Sequence, residues 1–200
     1  IGLLSQNQFG DMSRDLGAAL TYRRASPADS LGSVGFNLGV GMSATRLEHS
    51  SALDSASSDD TPNSLLMSNL YLQKGLPLGI DVGAFYTSVP DSNISLLGGG
   101  LSYALLNDSA ITPALSVQGS YSRMSGVDDL KLDTRGIDLS ISKGISLLTP
   151  YAGIGRIWVN SNPGGGTGLE SEDFAENRYF YGANINFGLL DFSLQSDTVG

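Results

Sequence analysis

Along most of this chain every second residue is apolar. Over residues 34–45, Val34, Phe36, Leu38, Val40 and Met42 fall on one parity, and Gly35, Asn37, Gly39, Gly41 and Ser43 fall on the other. A period of two with one apolar face and one small or polar face is the pattern of a β-strand. The alternation returns over 80–87, 97–105, 115–122, 137–142, 151–160 and 178–187, and more weakly over 66–74 and 190–197. The pattern thus predicts nine strands. In the segment 151–160 the apolar phase is read as Tyr151, Ile157 and Val159, which sets Ile154, Arg156 and Asn160 on the opposite face.

Connections between these segments alternate in length. Residues 74–79, 106–111, 143–150 and 188–189 are compact, whereas 49–64 and 161–177 read as long polar loops and 90–93 and 126–130 as shorter acidic ones. Short turns on one rim and longer loops on the other are the habit of bacterial outer-membrane barrels. Tyr86, Tyr103, Tyr121, Tyr151, Tyr179 and Tyr181 all fall on the apolar phase, mostly near strand ends, as an aromatic girdle at a membrane interface requires.

The first residues follow another period. Phe9, Met12, Leu16 and Leu20 recur at helical spacing, Ser5 and Gln8 are spaced as a capping box, and Pro27 breaks the run. An amphipathic helix within residues 1–24, in or below a lumen as a plug, is therefore expected ahead of a barrel over 31–200. If all long loops share one rim, nine strands leave the chain end on that rim. Antiparallel closure then asks for a tenth strand beyond Gly200.

No run of about 18 consecutive apolar residues is present, so a transmembrane helix is not expected. Two all-β architectures share the alternation. A soluble sandwich would turn a face rich in Lys, Glu and Thr to water, whereas here the polar face is mostly Gly, Ser, Asn and Gln. Small residues suit a lumen, and a closed barrel pairs every backbone group in lipid. The expected fold is thus an antiparallel transmembrane β-barrel of about ten strands (8–12).

Charge and composition remove several functions. Eleven Lys and Arg against 20 Asp and Glu give a net charge of −9, which repels nucleic acid. There is no cysteine, and His49 is the one histidine, so thiol chemistry and zinc sites are not expected. The acidic loop residues match no calcium-loop spacing, and the 163–168 run lacks the lysine of a phosphate loop. No metal or other cofactor is expected. His49, Ser50, Ser51, Asp91 and Ser92 can be drawn as a hydrolytic site of an outer-membrane lipid-modifying enzyme, but nothing in the sequence brings those loops together. A non-enzymatic protein is expected.

Candidate lumen-lining residues on the inner phase are Asn37, Asp81, Gln118, Asp138, Arg156, Arg178, Asn184 and Asn186. Opposed charges across a narrow passage orient polar solutes, and the inward glycines suggest free space. The leading expectation is a small pore for polar or amphipathic solutes. The alternative is a non-conducting structural or interaction barrel, in which Met67, Phe85, Ile154 and Phe180 hold the plug. Arg23 and Arg24 are placed on the inner side, within reach of lipid head groups, and Gly153 and Gly155 are read as a place where another subunit can approach.

The segments DLGAAL, KGLPLGIDVGA, SGVDDLKLDTRGIDLSISKGI, LTPYAGIGRIWV and NINFGLLDFSLQSD resemble a group of predicted outer-membrane β-barrel proteins of Gram-negative bacteria, over nearly the whole chain. The resemblance implies a barrel in the outer membrane, with its lipid and lipopolysaccharide as surroundings. It also implies insertion by the barrel-assembly machinery, through a last strand that ends in an aromatic residue. It carries no assigned activity.

Overall fold

A computed structural model describes residues 4–46, 64–90 and 92–200. The fold is all-β: nine antiparallel strands in one curled sheet, with one short helix. The helix α1 spans Gln6–Ala19. The strands are β1 (Phe36–Arg46), β2 (Ser64–Leu76), β3 (Ile80–Ser88), β4 (Ser95–Leu106), β5 (Ala114–Ser125), β6 (Leu130–Ser142), β7 (Leu148–Pro163), β8 (Glu172–Asn186) and β9 (Asp191–Val199). Each strand pairs with its neighbours in sequence, so the sheet is a simple meander. The tight β2–β3 turn places Leu78 and Gly79 in succession at positive φ (67° and 73°), which matches the twist of a hairpin.

The helix begins where its cap directs it. The Gln8 amide donates to Ser5 Oγ (3.4 Å), and the Ser5 amide donates to Gln8 Oε1 (2.9 Å), so two of the orphan amides of a helix start are satisfied reciprocally. Phe9, Met12 and Leu16 are buried against Met67, Leu96, Met124, Leu132, Ile157 and Val159 on the inner face of the sheet. The N-terminal segment enters at the rim of the longer connections, where Gln6 Nε2 donates to the Glu170 carbonyl (3.2 Å) and to Glu172 Oε1 (2.5 Å). It descends through the interior and reaches the short-turn rim. There the Ala28 amide donates to Ser142 Oγ (3.0 Å), and Asp29 Oδ1 accepts from the Asp108 amide (3.2 Å).

Three points of the sequence reading meet the structure here. First, the nine expected strands are present and do not by themselves close a barrel: β1 and β9 are the two free edges, and they run in the same direction. They are not antiparallel partners for each other, and a tenth strand is not among the described residues. Second, much of the expected 161–177 loop is strand, because Ser161 pairs with Glu172 and Ile157 with Glu176, leaving 164–171 as the connection. Backbone ladders are indifferent to side-chain polarity, so polar residues extend the hairpin where an apolar pattern ends.

Third, the phase of β7 is inverted. Tyr151, Ile157 and Val159 are 4%, 1% and 2% exposed and point inward. Ile154, Arg156 and Trp158 are exposed on the outer face. Tyr151 is therefore not part of an outer aromatic girdle, and neither Arg156 nor Ile154 lines the interior. A shift of one residue exchanges the two faces of a strand. Here both parities carry apolar residues, so alternation alone does not choose. What chooses is α1: a Cβ placed on Gly17 would lie 2.6 Å from Val159 Cγ2, so the helix backbone sits directly on β7 and needs apolar side chains beneath it.

Candidate functional site

The concave side of the sheet is the candidate site, and it divides into two layers. Toward the long-connection rim the interior is apolar. There Phe9, Met12 and Leu16 of α1 meet the wall, and Ser13 Oγ donates across the gap to Ser161 Oγ at 2.8 Å. Toward the short-turn rim the interior is ionic. Arg178, 2% exposed, is its centre. Its Nη1 donates to Asp138 Oδ2 (3.0 Å) and to the Tyr22 carbonyl (3.0 Å), its Nε donates to Asp197 Oδ1 (2.8 Å), and its plane lies over the Phe180 ring.

The polypeptide after α1 joins this network. Arg23 pairs with Asp197 (3.5 Å) and donates to the carbonyls of Ala18 and Ala19, curling back over the helix end. Arg24 pairs with Asp81 (3.1 Å) and donates to Ser102 Oγ. Asp81 Oδ1 also accepts from Ser30 Oγ and from the Leu31 amide. Arg23, Arg24 and Arg178 thus face Asp81, Asp138 and Asp197, and the six formal charges cancel. Buried charges persist only where they are paired and hydrogen-bonded, which explains why arginines and aspartates occur together at this depth.

The structure brings together four of the candidate lining residues: Asp81, Asp138 and Arg178 lie in the ionic layer, and Gln118 is buried opposite Asp138 in the β5–β6 register. Asn184 is buried nearby and donates to Ser193 Oγ (2.9 Å). Asn37 is half-buried on the inner face of β1. Asn186 is not in the interior; it is exposed at the β8–β9 turn, where its Oδ1 accepts from the Gly188 amide (2.8 Å). Phe9, Met12, Leu16 and Leu20 are all buried, with Leu20 as the C-cap of the helix. Tyr86, Tyr103, Tyr121, Tyr179 and Tyr181 are 40–68% exposed on the outer face.

Several inward glycines are occupied by aromatic rings, although Gly39 on β1 faces open space. A Cβ on Gly98 would meet the Phe85 ring at 2.4 Å, one on Gly153 the Phe180 ring at 2.3 Å, and one on Gly182 the Tyr151 ring at 2.6 Å. The Tyr22 ring lies 3.0 Å from the same point on Gly100 and 4.8 Å from the Phe85 ring centre. Each of these glycines is the slot for a neighbour's aromatic ring. A cavity of about 10 Å³ remains beside Thr21, Arg23, Asn69 and Tyr71, room for about one water molecule. A shallow, open groove lies instead on the outer face, lined by Val40, Met42, Leu70 and Tyr86.

Asp197 and Tyr22 are the functional residues that sequence reasoning missed. Asp197 shares the inward parity of Ser193 and Gln195 on β9, a signal that the weak alternation there concealed. Tyr22 had none, since it belongs to no periodic element. Of the hydrolytic candidates, His49, Ser50, Ser51 and Asp91 lie outside the described residues, as do Asp54, Asp59 and Asp60 of the first long loop. Among the described residues no three His, Cys, Asp or Glu side chains converge as metal ligands. No family model, no curated protein and no solved structure matches this chain.

Proposed function

We propose that the chain is an outer-membrane β-barrel protein whose passage is closed by its own N-terminal segment, a non-conducting barrel of the structural or interaction class. The carrying observation is the filled interior: α1 occupies one half and the Arg–Asp network, knitted to residues 22–31, occupies the other. A membrane setting is supported by the outer face. Leu38, Val40, Leu101, Ile137, Leu139, Ile154 and Leu194 are 41–84% exposed, a cost that hydrocarbon removes and water does not. In this reading the lipid of the outer membrane is the partner of the wall, no cofactor takes part, and the connections of the longer rim face outward from the cell.

A second reading is favoured by the way the segment is held. Residues 4–31 contribute no strand to the sheet, and Arg23 and Arg24 attach them to it through two ion pairs, so displacement would leave the wall in place and open a pore for small polar solutes. Planar-bilayer recording separates the two readings. The full chain is expected to carry no steady current, and deletion of residues 1–24 tests the pore. Current from the full chain overturns the closed-barrel reading; silence from both forms removes the pore reading.

A further inference from the structure

The outer face of β5–β8 changes character toward the long-connection rim, and strand pairing sets the change out in rows. Val117, Leu139, Ile154 and Tyr179 stand side by side in one row. In the next row Ile137 is paired with Arg156, and in the one after that Tyr121, Arg135 and Trp158 are neighbours. Arg123 and Asp133 follow, and Lys131 lies one step further. Four of the chain's 11 cationic side chains thus gather on one outward patch of a protein with net charge −9. Asp133 and Asp173 are the acids on the same face.

These cations are not equivalent. Arg123 is engaged: its Nε donates to Asp133 Oδ1 (2.7 Å) and its guanidinium lies over the Tyr121 ring. Arg135 and Arg156 are exposed and make no hydrogen bond or ion pair among the described residues, although Arg135 lies within electrostatic reach of Asp133, which Arg123 already engages. They border Ile137 and Ile154, which are 54% and 56% exposed. An arginine at the edge of an apolar band is expensive unless an anion meets it. Trp158 and Tyr121 beside them are the amphipathic rings that settle at head-group depth.

We infer that this patch binds a phosphorylated membrane lipid, with Arg135 and Arg156 holding the phosphate and the acyl chains lying along Ile137, Leu139 and Ile154. The guanidinium fork matches a phosphate better than it matches a neutral or zwitterionic head group. Apolar rows continuous with the arginines select a lipid over a soluble phosphate. The inference rests on the membrane reading above, and the test separates the two.

Trp158, the single tryptophan of the chain, is paired across from Arg135 and reports on the patch. The full chain is placed in phosphatidylcholine nanodiscs that contain a rising series of small fractions of either bromo-acyl phosphatidic acid or bromo-acyl phosphatidylcholine. The phosphatidic acid is expected to quench Trp158 at a roughly tenfold lower fraction, given two cations at the head-group level. Arg135→Gln combined with Arg156→Gln is expected to make the two lipids equivalent. On the unaltered chain the preference is expected to fall as salt rises, a readout that needs no variant. Equal quenching by both lipids in the unaltered chain overturns the site while leaving the membrane reading intact. Quenching by neither overturns both. Reversal by excess inorganic phosphate overturns the lipid assignment, because the arginines would then serve free anions.

Discussion

The two halves of the interior are filled by opposite chemistry. Beside α1 the contacts are mainly Phe9, Met12 and Leu16 against aliphatic and methionine side chains, with the Ser13–Ser161 hydrogen bond among them. Below it, three arginines and three aspartates hold an irregular stretch of chain in place. A helix satisfies its own backbone and can offer a purely apolar side to the wall. An irregular segment has free carbonyls and amides, and the wall must answer them: Arg178 serves the Tyr22 carbonyl, Asp81 the Leu31 amide and Ser142 the Ala28 amide. Secondary structure inside the sheet thus decides which wall residues are tolerated there.

This contrast can be broken most severely at Arg178. Arg178→Ala leaves Asp138 and Asp197 buried without their main partner, and a loss of about 3–5 kcal/mol is expected in denaturant unfolding. Adding Asp138→Asn and Asp197→Asn should recover much of it, because the penalty belongs to unpaired charge. In the apolar layer Phe9→Ala should cost about 3 kcal/mol by leaving a cavity, and no second truncation should restore it. Recovery in the apolar layer, or none in the ionic layer, would erase the distinction between them.

Smaller changes sharpen it. Ser5→Ala removes the capping box of α1 and should lower stability by about 1 kcal/mol, read from thermal unfolding followed by helix dichroism. The effect should be confined to the apolar layer, leaving the protection of the Arg178 network from hydrogen exchange unchanged.

The smallest expected effect lies at the short-turn rim. The Lys143 ammonium donates to Asp108 (2.8 Å), and this bond holds the Asp108 carboxyl below its ordinary range. A carboxyl with a depressed folded pKa contributes stability that is fully present above its unfolded pKa and is lost as pH falls through the folded one. The unfolding temperature should therefore fall less between neutral and acidic pH in Asp108→Asn than in the parent chain. An identical pH profile for the two would show that the rim pair contributes nothing.

Much of the wall was legible from alternation, because one side chain per pair of residues must face each medium. The strands around Val40, Val82, Leu101, Val117 and Ile137 read directly, and so did α1 through Phe9, Met12 and Leu16 and its Ser5–Gln8 cap. Legibility failed at β7. The rule of a polar interior assumes water inside, and there the interior is the side of a helix, so Ile157 and Val159 turn inward and Arg156 turns out. It failed again at the inward glycines Gly98, Gly153 and Gly182. Composition reads them as empty space, but Phe85, Phe180 and Tyr151 lie across them from neighbouring positions.

Local periodicity by itself determined strand identity, strand order along the meander and the existence of the helix, because these depend on residues within a few positions of one another. Tertiary structure alone decided what fills the concave side, which face of β7 is inside, and that Arg23, Arg24 and Arg178 meet Asp197, Asp81 and Asp138. Those pairs join residues of β3, β6, β8 and β9 and of the N-terminal segment, and no short-range pattern encodes a contact between groups that only the curvature of the sheet brings together.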